Sequence, residues 1–392
     1  MKTMTSIHAW SITLALVAPM AACSAPPVGD SAESATSGSE GVTIVHRPIV
    51  PAAFPTGVAI ASDGHACLRN GDGTVQCWGA NNFGQLGDGT TLARALPVSV
   101  LGLAGAVQVA TSYGSSCALL GNGTVECWGE LLLASNLNGV TTPTPIPNVT
   151  NAVSITAGDM HFCVALASGG ATCWGRNSAG QIGVPVSSSG YFDATSVPGV
   201  ANIVSVTAGI SHTCALDRYG RVFCWGDGGS GQLGSSNATY KSNVAATMMT
   251  PLTSTRQISA AGNNTCALGW NGVITCWGED RYETASGASA PGPAGTFHVI
   301  AGLAPAIDVA MAQDHACAIL SDATVRCWGI TYALGDGLTT PLYRTGSAIA
   351  PVTGAATLSA GTGEETCAVV GSNVLCWGDG EFITTATPTT IY

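Results

Sequence analysis

Short apolar arms alternate along this chain with clusters of Gly, Asn and Asp. The stretch Thr213-Cys214-Ala215-Leu216-Asp217-Arg218-Tyr219-Gly220-Arg221-Val222-Phe223-Cys224-Trp225-Gly226 shows the unit: an arm, a tight turn and a second arm, with a cysteine in each arm. Gly, Asn and Asp supply the positive φ of short hairpin turns, so the pattern predicts a β-hairpin. In the first copy, folding about Asp72 sets Cys67 opposite Cys77. Directly opposed residues of an antiparallel pair lie within disulfide range. Alternation then sends Cys77 and Trp78 to opposite faces, and both faces are apolar, so both must be buried.

The phrase recurs seven times. Its cysteines pair as Cys67 with Cys77, Cys117 with Cys127, Cys163 with Cys173, Cys214 with Cys224, Cys266 with Cys276, Cys317 with Cys327, and Cys367 with Cys376. A Trp-Gly follows each second cysteine, and the first cysteines stand 50, 46, 51, 52, 51 and 50 residues apart. A fixed period of this size marks a repeat architecture. Sheets buried on both faces and repeated seven times suit blades around an axis, so the expected fold is an all-β, seven-bladed β-propeller with one disulfide per blade. The Thr-rich tail Phe382 to Tyr392 has the β-branched content of a strand, and it and Val42–Val50 are expected to share in closing the ring.

The N-terminus reads differently. Lys2, an apolar run from Ala9 to Pro19, and Met20-Ala21-Ala22-Cys23 form an export signal too short to span a membrane. Fifteen cysteines less seven pairs leaves Cys23 alone. Small residues ahead of a lone cysteine resemble a bacterial lipobox, which implies lipidation at Cys23; an ordinary cleaved signal is the alternative. The expected organisation is a signal peptide over 1–22, a lipidated cysteine and flexible tether over 23–41, and one propeller over 42–392. Fourteen paired cysteines behind an export signal indicate an oxidising compartment, here the cell envelope, with an outer-membrane lipoprotein or cell-surface location and membrane contact through the lipid anchor only. Zinc would need converging ligands, commonly at C-x2-C spacing, which is absent.

Charge narrows the partners. Twenty-three acids against 12 bases give −11, and no basic cluster occurs, which argues against nucleic acid. Charged residues make up only 9% while Gly numbers 51, as suits short strands and tight turns. No G-x-x-x-x-G-K-[ST], H-E-x-x-H or G-x-S-x-G is present, so no enzyme activity and no cofactor are expected.

Further positions recur around the hairpins. Ala157-Gly158-Asp159-Met160-His161 and Ala208-Gly209-Ile210-Ser211-His212 precede first cysteines, and Gly84-Gln85-Leu86-Gly87 and Gly231-Gln232-Leu233-Gly234 follow Trp-Gly. With these the chain from Val42 onward resembles the regulator of chromosome condensation (RCC1) repeat, whose phrase runs A-G-x-x-H-T-C-A-L, G-x-V-x-C-W-G, G-Q-L-G. The resemblance implies four-stranded blades. Repeats 2, 5 and 7 depart from it at Leu131 to Asn138, Arg281 to Gly287 and Asp379 to Thr384.

His65, His161, His212 and His315 share one slot with Ser115, Asn264 and Glu365, which reads as a structural polar position rather than a catalytic or metal site. The expected function is binding of an unknown protein or glycan by a monomer, through the irregular segments Leu131–Asn138, Ser187–Thr195, Ser235–Met249 and Tyr332–Tyr343. Tyr191, Phe192, Tyr240 and Lys241 are the candidate contacts. The resemblance also implies two alternatives: guanine-nucleotide exchange as in the nuclear member, or enzyme inhibition as in a secreted β-lactamase inhibitor of this type. Export, disulfides and acidic balance argue against exchange.

Overall fold

The structure is a computed structural model. It describes residues 57–60, 64–136, 138–186, 190–234, 242–248, 252, 254–279, 295–301, 303, 305–330, 334–338, 343–361, 363–379 and 384–391. The chain divides into two units, Met1–Val45 and His46–Tyr392. The first, which holds the expected signal peptide, Cys23 and the expected tether, lies outside the described residues.

The second unit is an all-β, seven-bladed propeller. Seven four-stranded antiparallel sheets follow one another, each built from four consecutive strands. Blade 1 runs Gly57–Ile60, His65–Arg69, Val75–Gly79 and Arg94–Ser99. The first strand of every blade lines one central channel, so these are the inner strands. The second and third strands are the predicted hairpin, and their registers set the two cysteines of each repeat directly opposite one another. All seven expected disulfides form, each within its own repeat. Cys67 bonds Cys77, Cys117 bonds Cys127, Cys163 bonds Cys173, and Cys214 bonds Cys224. Cys266 bonds Cys276, Cys317 bonds Cys327, and Cys367 bonds Cys376. Their Cα–Cα distances are 4.0–4.1 Å.

Both faces of the hairpin are buried, as alternation required. The cysteines pack toward one neighbouring blade and the tryptophans toward the other, and six of the seven motif tryptophans are fully buried. Apolar clusters therefore sit between blades. One joins Leu119 and Val125 of blade 2 to Phe162 and Trp174 of blade 3. Another joins Val369 and Val374 of blade 7 to Val58 and Trp78 of blade 1, closing the ring.

The outer strands were less evident in the sequence. Tyr191–Ser196 is the outer strand of blade 3 and Ser242–Met248 that of blade 4, so the C-terminal parts of the segments Ser187–Thr195 and Ser235–Met249 are strand, not loop. One edge of such a strand has no partner and one face is half wet, which blurs the alternation. The Thr-rich tail does form a strand, Thr384–Thr390, and it completes the sheet of its own repeat. Ile391 beyond it packs on the cluster joining blades 7 and 1. Val42–Val50, its expected companion in closure, lies outside the described residues.

Candidate functional site

Two features recur at blade interfaces and engage buried polar side chains. The first centres on the histidine slot. His161 Nε2 lies 2.8 Å from Thr213 Oγ1 of the next blade, and that hydroxyl donates to the Gln181 carbonyl at 2.8 Å. With its proton committed there, the hydroxyl accepts from imidazole, so Nε2 carries the hydrogen. The Trp225 indole also donates to the Gln181 carbonyl, at 2.9 Å. His65, Ser116, Gln85 and Trp128 repeat the arrangement between blades 1 and 2. His212–Thr265 and His315–Thr366 pair at 2.8 and 2.6 Å.

This accounts for the sequence phrase. The Gln side chain accepts from a backbone N–H inside its own loop, as Gln181 Oε1 does from Ala179, which turns its carbonyl to the next blade. The Leu position is buried in Leu86, Ile182 and Leu233. Gly158 is needed because the imidazole lies on it: a Cβ there would sit 2.1 Å from His161 Cε1 and 2.4 Å from the Gly209 carbonyl. Burial pushes the imidazole pKa down to about 3 in His161, about 4 in His212 and about 3 in His315. These are neutral structural groups and not acid–base catalysts at pH 7.

The second feature is the channel, a cavity of about 800 Å³. Its wall is held by side chains that reach from one inner strand to the next. Gln108 donates to the Ile155 carbonyl at 2.9 Å and accepts from the Ile155 N–H at 3.0 Å. Asp308 accepts from Gln257 at 2.6 Å, Val309 N at 2.9 Å and Leu358 N at 2.9 Å, so it ties blades 5, 6 and 7. Burial raises its pKa against those bonds and the attraction of Arg256. A carboxyl so engaged has no second acid beside it among the described residues to form an acid–base pair. No cluster of three His, Cys, Asp or Glu able to hold a metal occurs among the described residues.

Models of the regulator of chromosome condensation (RCC1) repeat match residues 57–85, 152–181 and 203–232, and residues 72–119. The chain carries RCC1 repeats. It is similar to the ultraviolet-B receptor UVR8 of Arabidopsis thaliana, at 26% identity over 247 residues, covering 58% of this chain and 54% of that one. It is similar to the probable E3 ubiquitin-protein ligase HERC4 of Homo sapiens, at 30% over 185 residues, covering 46% of this chain and 13% of that one. The chain thus spans about half of UVR8 and a small part of HERC4. Among solved structures, yeast RCC1 (Prp20) bound to Kap60 superposes with TM-score 0.70 at 19% identity, covering 78% of each chain. Human WBSCR16 superposes at 0.71 and 19% identity, covering 81% of this chain and 94% of that one. At such identity the likeness is one of fold.

The RCC1 repeats depart from their phrase in an orderly way. In blade 2 the loop after Trp-Gly is filled by Leu131, Leu132 and Leu133, all buried. Across that interface Phe162 stands where Ser116, Thr213, Thr265 and Thr366 place a hydroxyl in four other blades, and it stacks on Trp174 at 5.5 Å. The segment Leu131–Asn138 is therefore anchored in the core at its start. Of the candidate contacts, Tyr191 and Phe192 are half-buried and pack on the clusters flanking blade 3. Tyr191 also directs its hydroxyl toward Met160 Sδ, 4.0 Å away. Tyr240, Lys241 and Cys23 lie outside the described residues. Gln108, Gln257 and Asp308 escaped the sequence reading; their one signal is a shared third position in the inner strand.

Proposed function

We propose that this chain is a non-enzymatic binding protein of the cell envelope, anchored through Cys23, that captures a protein or glycan on its propeller. What supports this is the division of labour among its side chains. At four of the seven interfaces a histidine and a hydroxyl are consumed in holding neighbouring blades, and the polar channel groups hold neighbouring inner strands. Connecting segments carry no such restraint and vary from blade to blade, and binding residues concentrate on such segments of rigid scaffolds. Seven disulfides suit an oxidising, extracellular setting. No helix among the described residues is long and apolar enough to cross a membrane.

The test is affinity capture from the envelope of the producing cell, with crosslinks mapped. A saturable partner is expected, with capture weakened by Tyr240→Ala with Lys241→Ala. Absence of any saturable partner for the intact chain overturns the binding reading. Mass spectrometry of the mature N-terminus checks the anchor, since an unacylated Cys23 rejects it.

A further inference from the structure

Seven equivalent hairpin tips join the second and third strands, and together they show what the fold requires at that position. Gly71-Asp72, Gly121-Asn122 and Ser321-Asp322 are typical. In each, the Asp or Asn oxygen accepts from the backbone N–H and hydroxyl of a threonine two residues on, as Asp72 does from Thr74 at 2.9 and 2.7 Å. Such a tip closes on itself and has no use for a bulky side chain.

Blades 4 and 5 break this rule side by side. Their tips hold Arg218-Tyr219 and Trp270. Trp270 is 51% exposed, although every Trp of a Trp-Gly pair is buried, and Tyr219 is 38% exposed. Both tips rest on Ser254: Trp270 N donates to its carbonyl at 3.1 Å, and a Cβ at Gly220 would lie 3.3 Å from its carbonyl carbon. Gly272 lies against Pro305 and Ala306, so Ile307, 47% exposed at the channel mouth, borders the same surface.

The charges here run against the −11 of the whole chain. Arg221 is matched, with two nitrogens each 2.6 Å from Asp217 Oδ2. Arg218 is not: its guanidinium lies 4.9 Å over the Tyr219 ring and donates to that hydroxyl at 2.6 Å, with no acid in contact among the described residues. Arg256, on the inner strand just past Ser254, donates to the Ala306 carbonyl at 3.2 Å, and its buried Nε has no partner. The nearest acid, Asp308, is occupied by three donors. Asp322, on the next tip, is turned onto Thr324 and bounds the patch.

We propose that the adjacent hairpin tips of blades 4 and 5 form a docking site for a carboxylate-bearing segment of a protein partner, with Arg218, Tyr219, Trp270 and Arg256 as anchors. Trp, Tyr and Arg are the residue types that dominate protein interfaces energetically. Arg218 has no carboxylate partner among the described residues, and the Asp308 that attracts Arg256 is already taken by three donors, so both call for a carboxylate from outside. Ile307 with Val273 offers aliphatic surface that matches peptide side chains better than sugar hydroxyls. This site rests on the binding reading above and lies on tips that reading did not use.

The test is fluorescence polarisation of the full chain with a labelled peptide of alternating Glu and Leu, against its Gln-Leu counterpart, polygalacturonate, and a second labelled copy of the chain. The Glu-Leu peptide is expected to bind, to weaken as salt rises, and to lose about tenfold in affinity with either Arg218→Ala or Trp270→Ala. Both side chains are exposed, so the thermal melt should not move and lost binding cannot be lost fold. No Glu-Leu binding up to millimolar concentration, equal binding of the Gln-Leu peptide, or binding indifferent to both substitutions overturns the proposal. So does a patch that takes only polygalacturonate or only the second copy. If envelope capture succeeds while this assay fails, the patch is wrong and the binding reading stands.

Discussion

A single proton position governs how the buried histidines behave. In His161, Nε2 donates to Thr213 while Nδ1 is buried without a partner against Gly158. A second proton would have to go on Nδ1, where nothing accepts it, in a site that water does not reach; His212 on the next blade adds repulsion. The folded pKa values of about 3, 4 and 3 for His161, His212 and His315 lie below the ordinary 6.5. The unfolded chain then takes up protons from pH 6.5 downward and the folded chain does not until about pH 4. Their contribution to stability is whole above pH 6.5 and is lost as pH falls toward 4, at up to about 1.4 kcal/mol per pH unit per histidine. His212→Gln should flatten the slope of unfolding free energy between pH 6 and 4.5 by about one histidine's share, measured by urea titration. A slope equal to the parent's would show that the imidazole titrates normally.

At the scale of one element, the Trp-Gly pair is a bulge that shifts the register of the ladder to the outer strand. In blade 3 the register between third and outer strands shifts between Cys173 and Gly175, and Gly175 has φ +106°. A Cβ there would meet the Met160 carbonyl at 2.6 Å, so both backbone conformation and space demand glycine. Gly175→Ala should cost about 2 kcal/mol or more, against about 1 kcal/mol for Gly102→Ala, where φ is +74° but the space is open. Comparable losses in thermal melts of the two variants would refute a steric role. The hairpin was legible beforehand because its turn, cysteines and Trp-Gly all lie within one phrase of sequence. The outer strands were not, since Tyr191–Ser196 and Arg94–Ser99 carry mostly half-wet side chains with no clean alternation. The partner of each histidine was hidden as well: Thr213 is 52 residues from His161, a distance no local pattern reports. The tip anomaly at Arg218-Tyr219 and Trp270 was in the letters, yet it acquires meaning only once the tips are known to be equivalent and neighbouring.

Across the ring, the seven interfaces are not alike, and the two stitching systems are spread unevenly among them. The imidazole–hydroxyl pair ties blades 1–2, 3–4, 4–5 and 6–7. Where the slot holds Ser115, Asn264 or Glu365, the opposing hydroxyl is missing too, replaced by Phe162, Ala316 and Ala66 in turn. The slot residue itself stays polar and buried there: Ser115 donates to the Glu130 carbonyl of its own blade, whereas Asn264 Oδ1 is left without a partner among the described residues. Two of these three interfaces carry the channel glutamines instead: Gln108 bridges blades 2 and 3, and Gln257 bridges blades 5 and 6. At these two interfaces the inner strands supply a tie where the hairpins lack theirs, while Asp308 to Leu358 and Thr207 to Ala260 add inner-strand bonds at interfaces 6–7 and 4–5 that keep the histidine pair. Gln108→Ala should then lower the denaturant midpoint by an amount worth about 1–2 kcal/mol, because it strands both the N–H and the carbonyl of Ile155. Ser205→Ala, at the same strand position in blade 4, should change little, because both interfaces of that blade keep their histidine pair. Equal losses from the two substitutions would mean that channel and hairpin ties are independent, and the apparent exchange of one for the other an accident of this sequence.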